Sequence, residues 1–218
     1  MNSTALSGAP AGLVHIVDDD APLRAAISSL LRSSGLAVAD YASVAQFLAQ
    51  PRAQVVSCLL LDVRLQGVSG LDFQAELKRD GVHLPIIFMT GHGDIPMSVR
   101  AMKAGALDFL AKPFRDQDLI DAINLALGAD RERRAREQAA QGLHDRYASL
   151  TPREREIMAL AASGLMNKQI AGELGTSEIT VKIHRGNAMR KMQARTFADL
   201  VRMAEALGID TARRQSSK

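Results

Sequence analysis

The first 127 residues repeat one pattern five times, a short apolar run followed by an amphipathic segment. The runs predict strands at about residues 13–17, 37–41, 57–61, 84–88 and 107–110, and the segments predict helices at about 21–34, 43–49, 70–80, 95–104 and from 116 onward. Each right-handed crossover returns the chain to the same edge of a parallel sheet. Residues 12–127 therefore predict an α/β doubly wound domain with a five-stranded parallel sheet.

The remainder of the chain carries no strand signal. Residues 128–149 are dense in Arg, Glu, Ala and Gln and predict a helical linker that continues the fifth helix and frays near Gly142. Thr151, Pro152 and Glu154 have the spacing of a helix start with a capping box. Residues 150–210 predict a small all-α domain, with helices at about 152–163, 167–174, 178–192 and 196–207.

Charge differs between the two ends of the chain. Residues 1–127 carry 10 Lys and Arg against 13 Asp and Glu, net −3, whereas residues 150–218 carry 12 against 7, net +5. A basic domain behind an acidic one favours a nucleic acid as partner. No window approaches the roughly 20 apolar residues of a membrane span, and the N-terminus lacks a secretion pattern, so we predict a cytoplasmic protein without membrane contact. Cys58, in an apolar run, is expected to be a buried structural thiol.

Polar and reactive side chains follow four of the predicted strands. Asp18 and Asp19 follow the first strand, Asp62 the third, Thr90 the fourth and Lys112 the fifth. Ligand-binding groups gather at the carboxyl ends of parallel strands. Clustered carboxylates repel unless one protonates or a cation binds, and oxygen ligands suit Mg²⁺. Because a lysine adds positive charge for a phosphoryl oxygen, this edge predicts a magnesium and phosphate site.

Several motifs, in order along the chain, carry a resemblance to a known family. The segments "IVDDD", "LLLDVRLQGVSGL", "FMTGHGDIPMSVRAMKAGALDFLAKPF" and "LTPREREIMALAASGLMNKQIAGELGTSEITVKIHRGNAMRKM" resemble a two-component response regulator of the FixJ type. Such proteins join a CheY-like, flavodoxin-like receiver to a LuxR-type helix-turn-helix domain. The resemblance implies a regulator of transcription with no enzymatic activity beyond slow autodephosphorylation. Its implied partners are a histidine kinase, double-stranded DNA, a second copy when phosphorylated, and RNA polymerase.

The resemblance also assigns roles to the residues at the strand ends. Asp62 matches the phosphoacceptor, and Asp18 and Asp19 match the acidic pair. Mg²⁺ is expected on Asp18, Asp19, Asp62 and the backbone carbonyl of Arg64, while Lys112 pairs with the phosphoryl group. Together these residues would allow the Asp62 carboxylate to become an acyl phosphate.

A switch is implied as well. Thr90 and Phe109 match the pair that links phosphorylation to a changed surface on the fourth helix, fifth strand and fifth helix, where a dimer is expected. The family also has a cis bond corresponding to Lys112–Pro113. Arg64 and His92 lie two residues beyond Asp62 and Thr90, and we hypothesise that they tune the lifetime of the phosphorylated state.

Considered alone, each of these residues has a simpler explanation. A single aspartate such as Asp62 is more often a loop-facing carboxylate or a helix cap, Thr90 could cap a turn, and Lys112 could be a solvated charge. Their joint placement favours the functional interpretation. Asp20 differs from its neighbours, because the following Ala21 and Pro22 predict a helix N-cap there.

Residues 178–192 predict the DNA-reading helix of a helix-turn-helix, after a turn at Gly175. At 100° per residue, Val181, His184, Ala188 and Met192 share a face suited to packing. The opposite face and its flanks predict the DNA contacts. Lys182 is expected to contact a base or a phosphate, and the resemblance adds Ile183 and Gly186 as base-facing, although glycine has no side chain to read a base. The remaining expected contacts, chiefly to phosphates, are Lys168, Thr180, Arg185, Asn187 and Lys191.

Two other functions fit parts of the pattern. A magnesium-dependent phosphatase of the haloacid-dehalogenase type also uses an aspartyl phosphate, a hydroxyl and a lysine. That class has a second acid two residues after the nucleophile, where this chain has Arg64. Alternatively, the first domain could serve only for dimerisation of a DNA-binding protein, which would leave Asp62, Thr90 and Lys112 without a role.

Overall fold

Five parallel strands form one sheet in a computed structural model that describes residues 12–51, 54–65, 67–91 and 95–209. They are β1 (Leu13–Val17), β2 (Ala37–Tyr41), β3 (Ser57–Asp62), β6 (Ile86–Thr90) and β7 (Asp108–Ala111). The order across the sheet is β2-β1-β3-β6-β7. Two shorter strands, β4 (Arg64–Leu65) and β5 (Val68–Ser69), form a separate antiparallel hairpin. The predicted doubly wound fold is confirmed, and the strand order reverses between β1 and β3.

The fourth strand of the sheet, β6, lies two residues later than the sequence predicts. Pro85 has no N–H group and cannot donate to the ladder, although its carbonyl accepts a hydrogen bond from Leu59 N at 2.9 Å. At the other end, Met89 pairs with Asp62 and Thr90 pairs with Ala111. Thr90 is therefore the last residue of its strand, at the carboxyl edge of the sheet.

Helices cover both faces of the sheet and create two apolar cores. They are α1 (Ala21–Ser33), α2 (Val44–Leu48), α3 (Gly70–Arg79), α4 (Ile95–Lys103) and α5 (Asp116–Ala148). Alternate strand residues point to opposite faces, so Cys58 and Leu60 belong to one core, and Leu59 and Leu61 to the other. Burial raises the pKa of the Cys58 thiol to about 12, as expected for a structural cysteine.

Helix α5 is continuous over 33 residues, so the predicted fraying near Gly142 is wrong. One interior glycine costs a helix only about 1 kcal/mol, which does not interrupt a helix of this length. The side chain of Asp130 is fully buried and accepts a hydrogen bond from Ser57 N at 2.9 Å. This bond joins α5 to the start of β3. The chain divides into two compact units between Arg134 and Ala135.

The second unit contains α6 (Pro152–Ala162), α7 (Asn167–Glu173), α8 (Glu178–Met192) and α9 (Phe197–Ala206). The predicted capping box is present: Thr151 Oγ1 accepts from Glu154 N at 3.2 Å, and Glu154 Oε2 accepts from Thr151 N at 2.9 Å. Two apolar clusters bury the facing sides of these helices. Among the helices of the described ranges, none is long and apolar enough to cross a bilayer.

Candidate functional site

Three carboxylates meet at the carboxyl edge of the sheet. Asp18 and Asp19 follow β1, and Asp62 ends the neighbouring parallel strand β3. One oxygen from each carboxylate lies within 4.8 Å of the other two. Asp18 and Asp62 are buried whereas Asp19 is exposed to solvent. The structure therefore brings together the three carboxylates that the sequence places at the ends of these strands.

Lys112 lies between the two buried carboxylates. Its Nζ atom donates to Asp18 Oδ2 at 2.6 Å and to Asp62 Oδ2 at 2.9 Å. Burial alone would lower the pKa of Lys112, but these hydrogen bonds outweigh burial and raise it. Burial raises the pKa of Asp18, and hydrogen bonds from Lys112 and from Asp20 N only partly offset this effect. The lysine therefore remains a cation at the centre of the cluster. The bond between Lys112 and Pro113 is cis, as expected.

Backbone and side-chain donors hold the two buried carboxylates in place. Asp20 N donates to Asp18 Oδ1 at 2.9 Å, and Arg64 N donates to Asp62 Oδ1 at 3.1 Å. Arg24 Nη1 donates to the carbonyl oxygen of Asp18 at 2.5 Å. Sequence reasoning missed Arg24, because a basic residue on the first turns of a helix is usually a solvated charge. The two backbone N–H groups orient the carboxylates, and Arg24 holds the backbone of Asp18.

Gly70 is a second residue that sequence reasoning missed. It begins α3, and a Cβ atom there would lie 2.6 Å from the carbonyl oxygen of Asp62 and 3.1 Å from Val63 Cα. Gly70 N donates to Val63 O at 2.9 Å, which closes the β4–β5 hairpin against the end of β3. Only glycine permits this approach, since atoms on both sides are backbone. The available sequence signal was its position in "GVSGL", which belongs to one of the segments that carry the family resemblance.

The proposed switch residues lie on the two strands beyond β3. Thr90 is fully buried at the end of β6, and Phe109 is half-buried in β7 and packs on the core around Phe73 and Phe88. The two residues therefore lie on adjacent strands near the same edge. His92, which we expected to tune the phosphorylated lifetime, lies outside the described residues.

The acidic cluster fits a divalent cation. Carboxylate oxygens are the hard ligands that Mg²⁺ takes, and Mg²⁺ usually retains several water molecules. The exposed position of Asp19 leaves room for such water, and the buried pair supplies further oxygens. The donor set of Asp18, Asp19 and Asp62 is therefore compatible with the predicted magnesium.

Helix α8 presents a packed face and an exposed face. Val181, Ala188 and Met192 are buried, as predicted from their spacing. Lys182, Ile183 and Gly186 are exposed, and a Cβ atom built on Gly186 meets nothing within 4 Å. Ile179, which we did not predict as a contact, leaves 73% of its surface exposed one turn before Ile183, which leaves 58%. Exposed β-branched residues at this spacing form an apolar ridge on the surface of α8.

Other predicted DNA contacts already have partners within the second unit. Lys191 Nζ lies 2.7 Å from Glu154 Oε2, and Arg185 donates to Asn167 Oδ1 at 3.0 Å. The Arg185 guanidinium also lies 5.6 Å from the centre of the Phe197 ring. Asn187 accepts a hydrogen bond from Arg190 and the Thr180 hydroxyl bonds to Ser177, whereas Lys168 is exposed. Lys191 and Arg185 therefore stabilise the helix packing.

Comparison with known families accounts for both units. Residues 14–124 match the response regulator receiver domain, and residues 148–204 match the bacterial regulatory proteins of the luxR family. The chain is a LuxR-type response regulator. Proteins of this family regulate transcription, the receiver implies a histidine kinase as partner, and the C-terminal domain implies DNA.

Several known proteins resemble this chain over nearly their whole length. Nodulation protein W of Bradyrhizobium diazoefficiens is 55% identical over 90% of this chain and 87% of its own. The transcriptional regulatory protein FixJ of Azorhizobium caulinodans is 44% identical over 91% and 94%. Among solved structures, the response regulator StyR has a TM-score of 0.82 at 46% identity, covering 89% of this chain and 98% of its own. The predicted resemblance to the FixJ type is confirmed.

Proposed function

We propose that this response regulator accepts a phosphoryl group on Asp62 from a histidine kinase, dimerises, and binds paired DNA half-sites. The observation that carries the proposal is the position of Lys112 Nζ, 2.6 Å from Asp18 and 2.9 Å from Asp62. A cation held between two buried carboxylates is suited to receive the charge of a phosphoryl group. The exposed Asp19 leaves the same edge open to solvent.

In the proposed reaction, an oxygen of the Asp62 carboxylate forms a bond to phosphorus. The phosphorus–nitrogen bond of the donor phosphohistidine breaks, and the released imidazole takes up a proton from solvent. Lys112 pairs with a phosphoryl oxygen, while Arg64 N orients the Asp62 carboxylate and Gly70 N holds the carbonyl of the adjacent Val63. When bound to Asp18, Asp19, Asp62 and the Arg64 carbonyl, Mg²⁺ would offset charge on the transferred group.

Phosphorylation then acts through Thr90 and Phe109 in this proposal. The Thr90 hydroxyl turns toward the phosphoryl group, and Phe109 fills the space that it leaves. The surface formed by α4, β7 and α5 changes as a result, and we assign dimerisation to it. One dimer brings two DNA-binding domains to one site, which raises affinity without a new contact.

For the DNA-binding domain, we propose a smaller set of contacts than the sequence predicts. Lys182 and Ile183 reach base edges, beside the position of Gly186, and Lys168 contacts phosphate. Thr180 and Asn187 remain flanking contacts. Lys191 and Arg185 hold the helices together through Glu154 and Asn167. RNA polymerase remains a predicted partner of the DNA-bound dimer.

Chemical phosphorylation tests the proposal. Incubation with acetyl phosphate and Mg²⁺ is expected to add one phosphoryl group, seen by intact-mass spectrometry, that hydroxylamine removes. Light scattering on the same sample is expected to show a shift from monomer to dimer. The proposal fails if no adduct forms in Mg²⁺ or if the adduct forms equally well in excess EDTA. Repeated turnover of a phosphate ester would instead support the phosphatase alternative.

Asp20→Ala is expected to lower stability without changing phosphorylation. Asp20 Oδ1 accepts a hydrogen bond from Leu23 N at 3.1 Å and so caps α1, and loss of such a cap costs about 1 kcal/mol. The bond from residue 20 to Asp18 uses the backbone N–H and is retained. Urea unfolding and acetyl phosphate labelling measure the two effects. A labelling rate reduced more than about 5-fold, in protein shown to be folded, would place Asp20 in the site.

Lys182→Ala is expected to weaken DNA binding about 10-fold, the effect of one lost base or phosphate contact. Lys182 is exposed on α8. The matched control is Lys191→Ala, which removes the same charge from the same helix but breaks the ion pair with Glu154. We expect the control to lower the melting temperature and to retain affinity within about 3-fold. Fluorescence anisotropy on a site selected from random DNA measures the affinity of both variants. Equal losses of affinity would contradict the assignment of Lys182 to DNA contact and Lys191 to helix packing.

A further inference from the structure

A groove lies beside the end of β3 in the receiver and shares Arg64 with the proposed magnesium site. It runs between the β4–β5 hairpin, α3 and α4, and its volume is about 680 Å³. Apolar side chains form its floor, among them Val63, Leu65, Leu71 and Met97. Small-molecule sites commonly have volumes of about 300–1,000 Å³ and mostly apolar linings, so the groove has the size and surface of a ligand site.

Two arginines give this groove its charge. Arg64 and Arg100 both line it and both are exposed at its rim. Within the described part of the chain, neither guanidinium forms an ion pair or a hydrogen bond. Among the described lining residues, Asp72 is the one acid. The described part of the lining therefore has a net positive charge, and an arginine guanidinium offers planar donors that match a carboxylate.

We propose that this α3–α4 groove binds a small amphipathic carboxylate. The hydrocarbon part lies on Leu65, Leu71 and Met97, where burial of apolar surface favours binding. The carboxylate lies between Arg64 and Arg100. The limited volume and the presence of two arginines beside a few apolar side chains favour a compact ligand over a protein helix, which would need a longer apolar track.

A ligand in the groove would also affect the phosphoacceptor. Val63 and Arg64 directly follow Asp62, and Arg64 N donates to Asp62 Oδ1 at 3.1 Å. A ligand that holds the Arg64 side chain would restrict this donor and change the rate of phosphoryl labelling. This consequence rests on the proposed phosphorylation of Asp62, whereas the binding itself does not.

Titration with hexanoate tests the site, using hexanol as an uncharged ligand of the same chain length. Methyl resonances of the full-length protein are followed by NMR without a phosphodonor. We expect saturable shifts of Leu65, Leu71 and Met97 with a dissociation constant of about 1 mM. Hexanol is expected to bind at least about 5-fold more weakly, because the arginines then lack an anion.

Two substitutions locate the ligand. Arg100→Gln is expected to weaken hexanoate binding about 5-fold and to leave hexanol binding unchanged. Its matched control is Arg79→Gln, which removes an arginine of α3 outside the groove and should not alter binding. Ala104→Leu, at the groove wall, should weaken both ligands by filling space.

Several outcomes would overturn the proposal. These are absence of saturable shifts in folded protein, equal affinity for hexanol, and equal effects of Arg100→Gln and Arg79→Gln. Shifts produced only by an acidic amphipathic peptide would also overturn it in favour of a protein partner. Failure of labelling by acetyl phosphate in ligand-free protein would instead count against phosphorylation of Asp62 and would leave the binding result intact.

Discussion

Asp62→Asn is expected to abolish phosphoryl labelling, with a loss of more than about 100-fold, because a neutral amide cannot form the acyl phosphate. The substitution retains an oxygen that can accept from Arg64 N, so the end of β3 keeps its local geometry. Intact-mass spectrometry after acetyl phosphate treatment measures the effect. Circular dichroism on the same sample verifies that the variant is folded.

The matched control for this variant is Asp72→Asn. Asp72 is an exposed carboxylate in the first turn of α3, ten residues after Asp62. Its substitution makes the same chemical change outside the cluster and should leave labelling within about 2-fold of the parent. Labelling that persists in Asp62→Asn, at the rate of the control, would reject Asp62 as the phosphoacceptor.

Asp130→Asn is expected to destabilise the receiver by about 3 kcal/mol at neutral pH, the scale of breaking a buried charge network. The Asp130 carboxylate is fully buried and accepts hydrogen bonds from Ser57 N, from Arg133 Nη2 at 2.6 Å and from Arg134 Nε at 2.7 Å. Chemical unfolding at pH 7 measures the loss. Asp121→Asn, an exposed change on the same helix, should stay within about 0.5 kcal/mol of the parent.

The effect of Asp130→Asn should depend on pH. Burial alone would raise the pKa of Asp130, but the hydrogen bonds from Ser57, Arg133 and Arg134 outweigh it and hold the pKa below its ordinary value. A carboxylate with a lowered pKa stabilises the fold at pH values above its pKa in the unfolded chain, about 3.9. This stabilisation is lost as the pH falls through its pKa in the folded protein. The difference between parent and variant should therefore be constant from pH 7 to about 5 and narrow below about pH 4. A difference that widens in acid would contradict this role.

Most of the fold was predictable because short apolar runs, which indicate strands, alternate with amphipathic segments, which indicate helices. Glycine or proline lies between most of them. The exceptions have local causes. Pro85 displaced the fourth strand of the sheet, since it cannot donate to a ladder. The β4–β5 hairpin has strands of only two residues, too short for any periodicity. Gly142 predicted fraying of α5, but the neighbouring helical residues outweigh its small cost.

The site residues that follow strands were predictable from the topology of the sheet. The residues whose role depends on a particular three-dimensional contact were missed. Asp18, Asp62 and Lys112 follow strands, so the topology of a parallel sheet brings them together. Gly70 matters because of one backbone approach to Asp62, and Asp130 matters because it is buried against Ser57. In sequence, Asp130 resembles any acid in the charged helix "DRERR", and only the packing distinguishes a buried carboxylate from a solvated one.

Gly186 leaves the exposed face of α8 open to evolutionary change. A Cβ atom added at this position meets nothing within 4 Å, and replacing an interior helical glycine gains up to about 1 kcal/mol of helix propensity. Glycine and arginine codons differ by one nucleotide, and arginine is the side chain that most often reads guanine in the major groove. One point mutation could therefore give this regulator a new promoter preference and a more stable domain together, whereas most gains of function cost stability.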